Sequence, residues 1–378
     1  MVIGVPRETM DGEKRVGLVP ESIFKLKGVP VHLQAGSGEG AALLDSDYAG
    51  VGAVIEKDAR SLYGAADLVV KVQPLTPAEA GALRRGSSVV SFLYPQAHLE
   101  TVRKLVEREA TVFAMELMPR VSRAQSMDAL SSQSLVAGYK AVLMAAESLP
   151  KLFPMLMTAA GTISPARVFV LGAGVAGLEA IATARRLGAV VEAYDVRPAV
   201  KEQIESLGAK FVELPLEAKE AQTSGGYARA QSEDFYRRQQ ELLASHAEQS
   251  DVVVTTALVP GTRAPLLVTE DAVKRMRRGS VIVDLAAEQG GNCALTEAGR
   301  TVVKHGVTIH GPLNLPSSMA PQASQLYSRN VTAFILPMLK DGALTVDPND
   351  ELVRGTMVVQ AGKVVHEPTL RLLDGGPS

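Results

Sequence analysis

The sequence predicts an α/β chain of two doubly wound, parallel-sheet domains, the first of them discontinuous in sequence. Three observations lead there. Short continuous apolar runs recur, among them "VIGVP", "LVVKV", "SVVSFL" and "VFVLG". Amphipathic segments separate them, such as "HLETVRKLVEREA", with Leu99, Val102, Leu105 and Val106 at helical spacing. Strands buried on both faces read as uninterrupted apolar runs, and parallel neighbours need helix-length crossovers. Finally, 378 residues exceed one ordinary domain.

Taken in order, the first third alternates strand and helix from "VIGVP" through "VHLQAG", "AVIE", "LVVKV" and "SVVSFL" to "TVFAMEL". The stretch "LVAGYKAVLMAAESLPKLFPMLMTAAGTI" is apolar nearly all round and interrupted by Pro150 and Pro154. It predicts a long buried helix with a break, joining the domains. "ARVFVLGAGVAGLEAIATARRLGAVVEAYDVRPAVKEQIESLGAKFVEL" then reads strand, helix, strand, helix, strand. "DVVVTTALV", "GSVIVDLAA" and "GVTIHG" continue the strand series, with "TEDAVKRMR" and "TEAGRTVVKHG" between them. The tail offers a helix in "RNVTAFILPMLKDG" and two short strands in "TMVVQAGKVVHE", expected to pack back on the first domain. The expected domains are therefore 1–134 with 322–378, and 135–321. Residues 217–240 carry no strand pattern and hold Gly225 and Gly226 beside Tyr227. They read either as a loop able to move over a site or as a plain solvated insertion.

Composition removes several classes of function. Thirty-nine basic against 41 acidic residues leave a net charge of −2, with no basic run to follow a phosphodiester backbone, so no nucleic-acid partner is expected. A single cysteine, Cys293, excludes an internal disulfide framework and fits a reducing, cytoplasmic setting. No window approaches the roughly 18 consecutive apolar residues that span a bilayer, and the N-terminus lacks the apolar core of a secretory signal. Direct membrane insertion is not expected. The six histidines share no metal-ligand spacing, and no G-x-S-x-G is present.

The strongest chemical signal is "VFVLGAGVAGLEA", which holds Gly172, Gly174 and Gly177 as G-x-G-x-x-G directly after an apolar strand and at the start of a helix. In such a Rossmann-type unit the first glycine permits the tight turn. The second lets a pyrophosphate approach the backbone, and the third allows helix and strand to pack closely. The helix N-terminus presents N–H groups and a positive dipole end to phosphate. Asp195 closes the next strand, "AVVEAYD", where a carboxylate takes ribose hydroxyls and repels a 2′-phosphate, favouring NAD over NADP. Arg197, two residues on, is a counter-signal. "AGSGEGA", with Gly36, Gly38 and Ala41, mimics the motif, but follows the second strand and carries Glu39 where phosphate would sit, so it reads as a glycine-rich turn.

In the first domain Arg7, Glu8, Arg15 and Lys71 fall at the ends or edges of predicted strands, and His98 follows "FLYPQA". Lys71 lies inside an apolar run, where a lysine must be paired or neutralised. Two readings stand side by side for it: a ligand for a substrate carboxylate or carbonyl, and an ion pair with Glu8 or a similar acid.

Together, "RETMDGEKRVGLVP", "MELMPRVSRAQSMDALSSQS", "AYDVRPAVKEQIESLGAKF", "TTALVPGTRAP" and "VIVDLAAEQGGN" resemble the NAD(H)-binding component of proton-translocating nicotinamide nucleotide transhydrogenase, over residues 1 to about 370. Alanine dehydrogenase, a relative of the same fold, has similar segments around "RVGLVP" and "EQGGN". The resemblance implies that the polar loop at 118–134 reaches the nicotinamide end of NAD(H), with Arg120, Gln125, Asp128 and Ser131 holding the ring and its carboxamide. It implies that Val175 and Asp195 contact pyrophosphate and adenosine ribose, and that Leu258 lines the pocket. Gly226, Tyr227 and Gln239 would belong to a loop that folds over the nucleotide. Hydride passing directly between two nicotinamide rings needs no acid–base catalyst, so Gln125 is expected to position the ring. The resemblance further implies a homodimer that is peripheral to the inner membrane. It would dock on membrane-spanning subunits and on an NADP(H)-binding component, and be inactive in turnover alone. The alternative is an alanine dehydrogenase-like amino-acid oxidoreductase, for which Arg15, Lys71 and His98 would be the substrate and acid–base residues.

Overall fold

The computed structural model describes residues 1–26, 28–214, 233–258 and 262–375. It has the α/β, parallel-dominated architecture that the apolar runs predict. The chain divides into two compact units, Met1–Gln133 with Pro316–Ser378, and Ser134–Leu315.

In the first unit six strands run parallel in the spatial order Thr111–Ala114, Ser88–Ser91, Leu68–Val70, Ile3–Val5, Val31–Gln34, Val54–Glu56. The order reverses between Ile3–Val5 and Leu68–Val70, which makes their carboxyl ends the switch point where such sheets open a crevice. Both faces are covered. Leu68 and Val70 pack with Tyr48, Tyr327 and Val331, whereas Val69 packs with Leu62, Val102 and Leu105. This two-sided burial is why the strand reads apolar at every position. The tail strands Met357–Gln360 and Lys363–Val364 extend the sheet antiparallel, beside Thr111–Ala114. The helix ahead of them, Ala320–Ile335, starts well before the segment that suggested it. Pro321 suits its first turn, and Ala323, Tyr327, Val331 and Phe334 line its buried face.

The second unit orders its strands Lys210–Phe211, Val190–Tyr194, Arg167–Leu171, Val252–Thr255, Val281–Asp284, Val307–His310, Thr301–Lys304, all parallel except the last. Its reversal falls between Arg167–Leu171 and Val252–Thr255, directly below the glycine triplet. Val168 and Val170 face one apolar cluster, and Phe169 and Leu171 the other.

Three segments depart from the sequence expectation. The long broken helix is instead a helix, Ala129–Ser148, followed by a two-stranded hairpin, Leu156–Thr158 and Gly161–Ile163. Pro150 and Pro154 forbid helix continuation, and Gly161 turns the chain at φ 123°. Its apolar side chains are exposed rather than buried, Met157 at 80%. "TVVK" is a strand, Thr301–Lys304, joined to its antiparallel neighbour through His305 and Gly306, both at positive φ, as a two-residue hairpin turn of matching twist requires. Residues 233–240 are helical, part of Glu233–Glu248, not loop. The helix was legible in the spacing of Phe235, Gln239, Leu243 and Ala247, each four apart and buried. Among the described residues no helix is long and apolar enough to cross a membrane, and no cluster could hold a metal ion.

Candidate functional site

The glycine triplet forms the turn its spacing predicts. Gly172 ends the strand at φ 97°, and a Cβ there would stand 2.7 Å from the Thr256 hydroxyl. A Cβ on Gly177 would overlap the carbonyl oxygen of Gly172, so strand and helix touch backbone to backbone. A Cβ on Gly174, by contrast, meets nothing among the described residues. Helix Val175–Arg186 follows, with Gly174 as its N-cap and no side-chain cap, so its first N–H groups face outward without intrahelical partners. Val175 is 40% exposed at that terminus.

Asp195 sits beside this turn and is buried. Its Oδ2 accepts from the Ala173 N–H at 2.7 Å and from the Arg197 guanidinium at 2.8 Å. Its Oδ1 accepts from the Arg197 N–H at 2.9 Å and Nε at 2.8 Å. The pairing raises the Arg197 pKa. Gln239, on its helix, is buried and donates to the Tyr194 hydroxyl at 2.9 Å. Gly226 and Tyr227 lie outside the described residues. Leu258 is half-buried just past the Val252–Thr255 strand.

The sequence reading missed what holds that wall. Asp284 is fully buried and accepts from the Thr255 and Thr296 hydroxyls and the N–H groups of Ala286, Asn292 and Cys293. Asn292, also fully buried, receives the Ala257 N–H and donates to the Ala257 and Pro265 carbonyls. Thr256, next in line, donates to the Gly172 carbonyl at 3.0 Å. The network thus fixes 255–257 against the glycine turn. An aspartate closing the apolar run "VIVD" was its one sequence signal.

In the first unit the polar loop is anchored at several points. Arg123 makes a two-pronged pair with Asp350 at 2.9 and 2.8 Å. Asn330 donates to the Ser126 carbonyl and receives the Ser132 hydroxyl. Asp128 and Ser131 come together: Asp128 accepts the Ser131 N–H at 2.9 Å and its hydroxyl at 2.6 Å, capping helix Ala129–Ser148. Arg120 and Gln125 are exposed.

Lys71 resolves into an ion pair, with Glu8 at 3.1 Å and Glu79 at 3.2 Å. Burial alone would lower its pKa, but the two carboxylates raise it. Arg15 pairs with Glu13 at 2.6 Å and donates to Gln133. Against burial, that guanidinium holds the Glu13 carboxyl down at about 2. His98 stands at the start of helix Leu99–Glu107, its pKa lowered by burial. "AGSGEGA" is a turn closed on itself, the Gly36 N–H donating to Asp45.

Glu116 accepts the N–H groups of Leu93 and Tyr94, the turn leading to His98, and desolvation pushes its carboxyl up to about 7. A carboxyl raised from its ordinary 4.5 binds extra protons in the folded state between pH 4.5 and 7, so folding stability falls as pH rises through that window. Glu116→Gln is expected to remove this dependence, gaining on the order of 2 kcal/mol relative to wild type between pH 5 and pH 8 in denaturant melts. Parallel wild-type and variant pH profiles would contradict it.

Comparisons with known proteins match this geometry. Residues 4–137 match the alanine dehydrogenase/PNT N-terminal domain, and residues 141–367 the alanine dehydrogenase/PNT C-terminal domain. The chain is 48% identical over 376 residues to the separately encoded first portion of NAD(P) transhydrogenase subunit alpha from Rhodospirillum rubrum, covering 97% of this chain and 98% of that one. A crystal structure of transhydrogenase from Sinorhizobium meliloti superposes with a TM-score of 0.87 at 43% identity, covering 97% of this chain and all of that one. A structure of L-alanine dehydrogenase gives 0.82 at 26% identity, covering 99% of each. The chain belongs to the alanine dehydrogenase/PNT family.

Proposed function

We propose that the chain is the NAD(H)-binding subunit of a proton-translocating nicotinamide nucleotide transhydrogenase. Hydride passes directly between NADH held here and NADP+ on a partner component, while proton movement belongs to membrane-spanning subunits. The observation that carries this reading is the Gly172–Gly177 turn with Asp195 beside it, in a chain whose relatives include transhydrogenase alpha subunits.

The turn fits a dinucleotide. Side chains at Gly172 and Gly177 would fill it, and Gly174 leaves the approach to the helix N-terminus open. In this reading Gly172, Gly174 and Val175 receive the pyrophosphate, Asp195 takes the adenosine ribose, and Leu258 lines the pocket. Gln239 acts through Tyr194, the residue preceding Asp195. Arg120, Gln125, Asp128 and Ser131 orient the nicotinamide and its carboxamide, and Gly226 and Tyr227 cover the nucleotide. The nicotinamide itself supplies the hydride chemistry, so the protein's task is placement, not proton transfer. The chain works as a homodimer on its partner subunits and turns over only with them.

A second reading, an alanine dehydrogenase-like oxidoreductase, draws on Arg15, Lys71 and His98. It is less well supported, because Arg15 and Lys71 already have carboxylate partners in Glu13, Glu8 and Glu79. A substrate carboxylate entering there would have to displace them and would meet excess negative charge. Mixing the purified chain with an NADP(H)-binding component is expected to restore steady hydride transfer, with no NADH oxidation by pyruvate and ammonium. Brisk pyruvate-dependent oxidation by the chain alone would reverse the choice.

A further inference from the structure

The carboxylate that should read the ribose is already fully engaged. Asp195 receives two donors on each oxygen, the Ala173 and Arg197 N–H groups and two guanidinium nitrogens of Arg197, all between 2.7 and 2.9 Å. A carboxylate offers about four lone-pair directions, so ribose hydroxyls can bind only by displacing a donor. The Ala173 and Arg197 N–H groups are fixed by the backbone. The Arg197 side chain is the donor that can leave, and its 16% exposure gives it a route outward. It would then stand beside the 2′ position, where a planar cation with several N–H donors suits a phosphate.

We infer that Arg197 is a specificity residue which weakens the chain's rejection of 2′-phosphorylated nucleotides, by neutralising Asp195 and by offering its guanidinium to the phosphate. The inference rests on the reading that the second unit binds a dinucleotide. An aspartate alone would hold the site strictly to NAD(H), since a 2′-phosphate would face an uncompensated carboxylate. With Arg197 present the site carries a built-in counter-ion, and selectivity is set by the balance of the pair. The position also has a cost for NAD(H): the guanidinium competes with the ribose for Asp195.

The test compares dissociation constants for NADH and NADPH, and for ADP and 2′-phosphorylated ADP, on the full chain and on Arg197→Ala, titrated to millimolar ligand. The ratio of the NADPH to the NADH constant is expected to rise on the order of tenfold in the variant, and the shorter ligand pair to follow. A purely structural role for Arg197 would weaken both members of each pair alike, and an unchanged or smaller ratio overturns the inference. Arg197→Gln, which keeps hydrogen-bonding length without charge, gives the same readout if the alanine variant misfolds. If the wild-type chain binds neither NADH nor ADP, the dinucleotide reading falls and takes this inference with it. If it binds NADH but the ratio does not move, only Arg197 is misassigned.

Discussion

Gln125→Asn is expected to slow hydride transfer to NADP+ on the order of 100-fold while weakening NADH binding only a few-fold. The substitution keeps the carboxamide and shortens its reach by one methylene. A group that mainly supplies binding energy would lose affinity in step with rate. One that sets the position of a ring loses rate first, because a displacement of about 1 Å at the reacting carbon is costly while contact area barely changes. The structure supplies the rigid base this needs. Gln125 lies on the 3-10 turn Ser122–Met127, whose flanks are tied down by Arg123 to Asp350 and by Asn330 to the Ser126 carbonyl. Its own side chain is exposed. Stopped-flow transfer and equilibrium NADH titration on the same preparation give the two numbers. Equal losses in both would reject the positioning role.

Gly177→Ala is expected to abolish useful NADH binding and to destabilise the second unit. Its Cβ would overlap the Gly172 carbonyl, backbone against backbone, so neither partner can give by rotating a side chain. Overpacking of that kind costs about 1–3 kcal/mol. Relief requires helix Val175–Arg186 to move away from the turn and carry its N–H groups with it. Losing two charge-assisted hydrogen bonds of about 1.5 kcal/mol each corresponds to on the order of 100-fold in affinity. Gly174→Ala separates the two effects. Its Cβ meets no described atom, so melting should barely change while NADH binding falls. A Gly174→Ala protein that binds NADH as tightly as wild type would show that pyrophosphate does not approach there.

How much of this was legible in the sequence depends on whether a signal was local. The doubly wound sheets could be read because two-sided burial forces apolar residues at every strand position, as in Leu68–Val70 and Val252–Thr255. The glycine turn could be read because each glycine has its own steric reason at a fixed spacing. "MLMTAAGTI" misled because apolar composition does not say what will cover it, and the hairpin leaves Met157 exposed. "TVVK" was too short for periodicity to register, and its partner strand was visible only in three dimensions. The partners of Lys71 were half legible: Glu8 was an obvious candidate, whereas Glu79 arrives from the capping box of another helix. The Asp284–Asn292 network was hidden because its donors come mostly from backbone, which the sequence does not distinguish.

Direct transfer of hydride from a nucleotide held and positioned by this chain can be followed with an isotope. NADH deuterated at the transferring position of nicotinamide C4 is mixed with the chain, an NADP(H)-binding component and NADP+. The deuterium is expected in NADPH with none in water, and Gln125→Asn is expected to slow its appearance. Label lost to solvent, or NADPH that forms without it, would contradict direct transfer.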